Sequence, residues 1–350
     1  MTHTFVVPDF QFEDDAKLER TTAGKHARWR IFRERSKDGI PAAAWAEADA
    51  LLCWHEVAIT ADVITRLNHC RQIVRCGVGF DHIDLQAAGE AGIPVCNVPD
   101  YGTSEVADHA IALLLSFTRG IVAAHNALKA DPVKGWAYTT SPTTRRMRGS
   151  RFGIVGLGRI GTATALRAKA FGYEVLAYDP YLSNGQEIAL GVRRVASLND
   201  LLAESDVVSL HTPLTPETRG MIGAAQLRRM KRDAILVNTA RGPLIDTDAL
   251  AEALKKEWIA AAGIDVLPEE PPSSGGRLVD AFRKNVPWVR NRLILTPHSA
   301  WSSAASQADA RRKAVETALD YLMYGKLRNC VNAEFLGSPR RALAKRRGRS

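Results

Sequence analysis

The run Gly153-Ile-Val-Gly156-Leu-Gly158-Arg-Ile-Gly161 constrains this chain more than any other feature. Phe152 to Val155 is a short apolar run suited to a buried strand, and Arg159 to Phe171, rich in Ala, Leu and Lys, has helical character. The glycines therefore fall at a strand-to-helix turn. Without a Cβ they permit a tight turn, the approach of a pyrophosphate and close helix–strand packing. Amides at the helix start face the anion, and the helix dipole favours it. Tyr173 to Asp179 supplies the next strand. Its final acid stands roughly 20 residues on, where a ribose hydroxyl is bound. A carboxylate there would repel a 2′-phosphate, so Asp179 favours NAD over NADP. Arg193 and Arg194 follow and are expected as solvated surface charges.

At 350 residues the chain exceeds one ordinary core and implies two domains. With 46% hydrophobic and 24% charged residues it has a globular composition. No apolar run approaches the ~20 residues of a membrane span. The first residues lack the basic and apolar regions of a secretory leader, so a cytoplasmic location and no membrane partner are expected. The cysteines, Cys53, Cys70, Cys76, Cys96 and Cys330, form no CxxC pair and show no metal-ligand spacing with histidine. They are expected as reduced, buried thiols, and no metal is expected. The net charge of +9 comes mostly from the C-terminal run after Ser338, which carries Arg340, Arg341, Lys345, Arg346, Arg347 and Arg349. Such a block is expected to be a solvated tail, with at most nonspecific contact to nucleic acid or an acidic partner.

Strand and helix patterns alternate along the chain. Strands are expected at Thr4–Val7, Ala50–Trp54, Gln72–Cys76 and Ile93–Val98. Helices are expected at Asp62–Asn68 and Leu85–Ala91, and a long one at Ser104–Gly120 with Ser104 as its N-cap. After Asp179 the alternation resumes through Asp206–Leu210, Ala234–Asn238, Ala261–Val266 and Arg292–Leu295, and a final helix covers Ala305–Tyr324. This predicts an α/β chain in which one doubly wound domain, residues 119–302, is inserted into a smaller one formed by residues 1–118 and 303–335, with residues 336–350 as the basic tail.

Three segments follow strands of the inserted domain on the side where such sheets bind ligands. They carry Arg241 in Asn238-Thr-Ala-Arg-Gly, Glu270 in Asp265-Val-Leu-Pro-Glu-Glu-Pro, and His298 in Thr296-Pro-His-Ser-Ala. A cation, a carboxylate and an imidazole are what hydride transfer to a keto acid requires. The carbonyl must be polarised and a proton delivered to the new alkoxide. A carboxylate beside the imidazole favours its proton-carrying form. Each residue alone would equally serve as a surface ion-pair or loop hydrogen-bond group; their joint placement carries the reading.

The same segments resemble the signatures of the D-isomer-specific 2-hydroxyacid dehydrogenases: Asn238-x-Ala-Arg-Gly-Pro-Leu-Ile-Asp-x-x-Ala-Leu250, Asp265-Val-x-x-x-Glu-Pro271 and Thr296-Pro-His-Ser-Ala300. The resemblance runs from residue 50 to residue 333. Within the family the chain is most similar to the C-terminal binding protein branch, through Arg75-Cys-Gly-Val-Gly-Phe-Asp81, Asn97-Val-Pro99, Tyr178-Asp-Pro-Tyr181, Trp301 and Leu327-Arg-Asn-Cys-Val-Asn-x-Glu-Phe335. The resemblance implies two Rossmann-like domains, the outer one flavodoxin-like and substrate-binding, the inserted one NAD-binding. It implies that Arg241 polarises a 2-keto acid, Glu270 orients His298, and His298 donates the proton. Arg75, with the amides of Val78 and Gly79, would hold the substrate carboxylate, and Trp301 would wall the side-chain pocket. Gly156, Leu157, Gly158, Arg159, Ile160 and Gly161 would line the pyrophosphate, with Asp179 on the adenosine ribose. His211, Thr212, Pro213, Thr239, Ala240, Arg241, Asp265 and His298 would border the cofactor, with Asp265 near the nicotinamide amide. A homodimer through the NAD-binding domain is also implied.

The segment from Pro271 to Arg292 looks longer than its counterpart in animal members of that branch and is expected as a loop covering the site or tuning substrate choice. The leading expectation is an NAD-dependent reductase of small 2-keto acids, reversible toward D-2-hydroxy acids. The competing one is a dinucleotide-sensing interaction protein with little turnover. Retention of Arg241, Glu270 and His298 together favours the enzyme, because a binding module has no need of a proton donor. Formate oxidation on the same architecture is disfavoured by Glu270, since that related group carries an amide there.

Overall fold

Both sheets of the protein are built entirely from parallel strands. A computed structural model describes residues 2–138, 141–272 and 276–337. The chain divides into two units, one from residues up to Gly102 together with those from Ser303 onward, the other Thr103–Ser302.

The first unit holds β1 (His3–Val7), β2 (Ala27–Ile31), β3 (Ala50–Cys53), β4 (Gln72–Arg75) and β5 (Val95–Asn97) in the order β2-β1-β3-β4-β5. That is the flavodoxin-like winding. Strands β1, β3, β4 and β5 are buried on both faces, which is why they read as continuous apolar runs rather than alternating ones. Strand β2 was not expected. Its sequence Ala-Arg-Trp-Arg-Ile lies at the sheet edge, where charged side chains are tolerated and mask the strand signal. The chain re-enters this unit at the helix Ala304–Tyr324. Ser303 accepts from the Ser306 amide at 3.0 Å while the Ser306 hydroxyl accepts from the Ser303 amide at 2.8 Å, a reciprocal cap. Buried Arg311 on this helix pairs with Glu19 at 2.7 Å and Asp14 at 2.8 Å. Beyond the helix, buried Asn332 accepts from the Val95 amide and donates to the Ile93 carbonyl, tying the return segment to β5.

The second unit holds β6 (Arg151–Val155), β7 (Glu174–Tyr178), β8 (Arg193–Arg194), β9 (Val207–Leu210), β10 (Ile235–Asn238), β11 (Ala261–Ile264) and β12 (Leu293–Leu295). The order β12-β11-β10-β9-β6-β7-β8 is doubly wound, with the winding reversing between β6 and β9. The helix Thr103–Thr118 belongs here, so the unit begins at Thr103 and not at residue 119 as the sequence pattern suggested. Its buried stripe, Ala110, Ile111, Leu113, Leu114 and Phe117, joins Phe152, Ile154, Val207 and Val237 in one core. A Cβ at Gly263 would lie 3.1 Å from Leu113, so this helix rests directly on β11. Ser104 falls inside the helix rather than capping it. The segment expected as a loop after Pro271 contains a helix, Arg277–Arg283, whose Leu278 and Ala281 are buried. Residues 273–275, with Gly275 of that segment, lie outside the described residues, as does the basic tail from residue 338. No single helix among the described residues is long and apolar enough to cross a membrane.

Candidate active site

Strands β10, β11 and β12 are parallel neighbours, so Asn238, Ile264 and Leu295 end on the same edge of the sheet. The three loops that follow carry Arg241, Glu270 and His298. Their approach depends on Gly242, where a Cβ would lie 2.0 Å from the Leu267 carbonyl carbon. No residue with a side chain fits without moving one loop off the other.

The imidazole and carboxylate meet. His298 Nδ1 lies 2.6 Å from Glu270 Oε2, with both side chains about three-quarters buried. Glu270 is itself oriented, since its Oε1 accepts from the Leu267 amide at 2.7 Å. The pairing engages the ring through Nδ1. His298 sits at a φ of 52°, a left-handed conformation costly for a side chain of this kind. The backbone is held there by Asp265. The His298 amide donates to the Asp265 carbonyl at 2.8 Å. The Asp265 carboxylate accepts from the amides of Ser299 and Ala300, each at 3.0 Å.

Arg241 is partly buried, and its Nη1 donates to the Ala240 carbonyl at 2.8 Å. Buried Asn238 shapes this loop from both sides: its amide nitrogen donates to the Arg241 carbonyl at 2.9 Å and its oxygen accepts from the Ala240 amide at 3.0 Å. Two further contributors were not among the expected site residues. The Thr296 hydroxyl donates to Asp265 Oδ1 at 2.5 Å, and His109 Nε2 lies 3.0 Å from the same hydroxyl. Because Thr296 has one proton and spends it on Asp265, its oxygen must accept from a protonated His109 Nε2. His109 and Thr296 are 187 residues apart, so no spacing rule could join them.

The glycine turn occupies the point where the sheet winding reverses, after β6 and beside the loop after β9. Gly156 has a φ of 90°, and a Cβ on it would touch the His211 backbone at 3.0 Å. A Cβ on Gly161 would lie 2.0 Å from the Gly156 carbonyl oxygen. Gly158 differs: nothing lies within 4 Å of its Cβ position, and as N-cap of the helix Arg159–Ala170 it offers no side-chain cap. Open space thus faces the first-turn amides of Arg159, Ile160 and Gly161. Asp179 Oδ2 accepts from the Leu157 amide at 2.9 Å, which places the carboxylate against this turn. Thr239, at the end of β10, keeps a buried hydroxyl with no partner among the described residues. An uncapped helix start, an open glycine face and an unpaired hydroxyl along one sheet edge fit a dinucleotide. Burial lowers the His211 pKa to about 3, so its imidazole, 2.9 Å from the Ser209 hydroxyl, is neutral. Thr212 and Pro213 continue this loop, Ala240 lies beside Thr239, and Trp301 follows Ala300, partly exposed. Of the two downstream arginines, Arg193 pairs with Glu204, while Arg194 reaches the Asp179 carbonyl at 3.3 Å.

In the first unit Arg75 is buried. Its guanidinium folds over Gly77, where a Cβ would overlap it, and Nε donates to the Gly79 carbonyl at 2.7 Å. Asn97 Nδ2 donates to the Val78 carbonyl at 2.7 Å. Both side chains therefore brace the Val78–Gly79 loop through its carbonyls.

Residues 111–300 match the family described as D-isomer specific 2-hydroxyacid dehydrogenase, NAD binding domain. The chain belongs to the D-isomer-specific 2-hydroxyacid dehydrogenases. The family member glycerate dehydrogenase of Methylorubrum extorquens is 37% identical over 80% of this chain and 84% of its own length. Among solved structures of the family, the NADPH-dependent glyoxylate/hydroxypyruvate reductase of Sinorhizobium meliloti, in complex with NADP and malonate, superposes with a TM-score of 0.84 at 25% identity, over 98% of this chain and 100% of that one. The D-lactate dehydrogenase of Aquifex aeolicus, complexed with NAD and lactic acid, gives 0.78 at 26% identity, over 91% and 95%. This 2-hydroxyacid dehydrogenase is thus an oxidoreductase acting on CH–OH groups with a nicotinamide cofactor.

Proposed function

We propose that this 2-hydroxyacid dehydrogenase reduces small 2-keto acids with NADH, reversibly, with His298 as proton donor. The observation that carries the reading is the contact of His298 Nδ1 with Glu270 at the sheet edge where the Arg241 loop also ends. The nicotinamide, when bound, supplies the hydride. Glu270 accepts a hydrogen bond from Nδ1 and stabilises the charged ring, which keeps a proton on Nε2 for the alkoxide that forms. Arg241 offers a fixed positive charge to the carbonyl oxygen as negative charge builds there. Asp265, steadied by Thr296 and His109, keeps the His298 backbone in its left-handed position. In the first unit, Arg75 holds the Val78–Gly79 loop in shape through the Gly79 carbonyl.

NAD over NADP is supported by Asp179, whose carboxylate is pinned beside the glycine turn and would repel a 2′-phosphate. Absorbance assays with NADH and NADPH against glyoxylate, hydroxypyruvate, pyruvate and larger keto acids test the whole reading. The expected result is NADH-dependent turnover that falls about 10²–10⁴-fold in His298→Ala. Replacing Asp179 by Ala is expected to relax the preference for NADH. Tight NADH binding with no turnover on any keto acid would overturn the reading in favour of a dinucleotide-sensing role.

A further inference from the structure

Cys96 and Cys330 are brought together in the first unit by the antiparallel approach of the return segment to β5. The flanking hydrogen bonds define the pair. The Val331 amide donates to the Val95 carbonyl at 2.8 Å, and the Asn97 amide donates to the Asn329 carbonyl at 3.2 Å. These bonds lie one residue to either side, so Cys96 and Cys330 are the directly opposed, non-hydrogen-bonded pair. At such positions the Cα atoms stand about 4.5 Å apart and both side chains leave the same face. A disulfide needs Cα atoms roughly 4.4–6.8 Å apart. The interaction between the two thiols acts on them in opposite senses, lowering the pKa of Cys330 and raising that of Cys96.

The surroundings divide the labour. Cys330 is partly exposed, whereas Cys96 is fully buried and accepts a hydrogen bond from Gln72 Nε2 at 3.1 Å. Asn332, buried two residues beyond Cys330, fixes the strand pairing, so the two sulfurs are held in place without any bond between them. The remaining cysteines offer no such arrangement. Cys53, Cys70 and Cys76 are all buried, and burial raises the pKa of Cys53 and Cys76.

We infer that Cys96 and Cys330 form a dithiol site that a hydroperoxide converts reversibly to an intramolecular disulfide. Cys330, as thiolate, attacks a peroxide oxygen. The S–O bond forms, the O–O bond breaks, and the leaving hydroxide or alkoxide takes up a proton. Cys96 then loses its proton and attacks the Cys330 sulfur. The S–S bond forms, the S–O bond breaks, and the hydroxide leaves as water with that proton. The two thiols together lose two electrons and two protons, and the hydroperoxide is reduced.

The test treats the full-length protein with hydrogen peroxide and counts thiols under denaturing conditions, with peptide mapping by mass spectrometry. Loss of two of the five thiols is expected, with a cross-linked peptide joining Cys96 to Cys330 that dithiothreitol releases. Cys330→Ser is expected to keep all four of its thiols under the same dose. Cys96→Ser is expected to stop at the sulfenic or sulfinic acid of Cys330, which a sulfenic-acid probe reads directly. Two outcomes overturn the inference: five titratable thiols after oxidation, or a cross-link that uses Cys53, Cys70 or Cys76. Thiol counting and mapping do not depend on turnover, so they report on this site whatever the catalytic assays show.

Discussion

The pairing of His298 with Glu270 makes a directional prediction. Keto acid reduction needs a protonated imidazole, while hydroxy acid oxidation needs a neutral one. Replacing Glu270 by Gln removes the charge that stabilises the protonated ring but keeps a similar shape. Loss of a hydrogen bond to a charged partner costs about 1.5–3 kcal/mol, so the reductive kcat should fall roughly 10–100-fold. The oxidative rate should fall less. Initial rates in both directions check this, and an equal loss in both would show that Glu270 only shapes the loop. At this scale Arg241, Glu270 and His298 were legible because each stands in a short segment directly after a strand. His109 was not, and Thr296 stood out only as part of the His298 segment. Their effect passes through Asp265, and a helix residue acquires that role only when its helix docks on the sheet.

Two glycines separate what a loop needs to fold from what it needs to bind. At Gly242 an added Cβ meets backbone at 2.0 Å, so Gly242→Ala must force two loops apart. The cost is expected at about 2 kcal/mol, the middle of the range for overpacking, which lowers Tm by roughly 4–8 °C in a unit of this size. Gly158 has an ordinary φ of −74° and open space at its Cβ, so Gly158→Ala should leave Tm unchanged. Its methyl would stand in front of the helix amides, and the KM for NADH should rise. Thermal melts together with NADH titrations separate the two. A Gly158 variant that melts early, or a Gly242 variant that does not, would contradict the loop geometry. Among the elements, the strands buried on both faces were legible as apolar runs. The edge strand β2 and the helix Arg277–Arg283 were not, because charged residues interrupt their patterns.

At the scale of the molecule, the second unit exposes an apolar segment that its own core leaves uncovered. Val133, Trp136 and Tyr138 are each more than three-quarters exposed, and Ile121 and Val122 lie close by in sequence on the helix Ile121–Ala130. Such a concentration marks an association surface, and we propose that a second copy of this chain covers it. Sedimentation velocity should give a dimer for the parent and a monomer for Trp136→Glu, whose exposed position carries little folding cost. A parent that sediments as a monomer at micromolar concentration would exclude this surface. Sequence by itself determined the two parallel α/β units, the glycine turn and the three loops that carry Arg241, Glu270 and His298. Those properties follow from local rules: apolar run length, glycine at a strand–helix turn, and polar residues directly after strands. Tertiary structure alone decided that the helix Thr103–Thr118 joins the second unit, that Arg75 is turned inward, and that Cys96 faces Cys330. Each depends on which distant surface a segment buries, and burial energy is a property of the assembled core that no single stretch of chain contains.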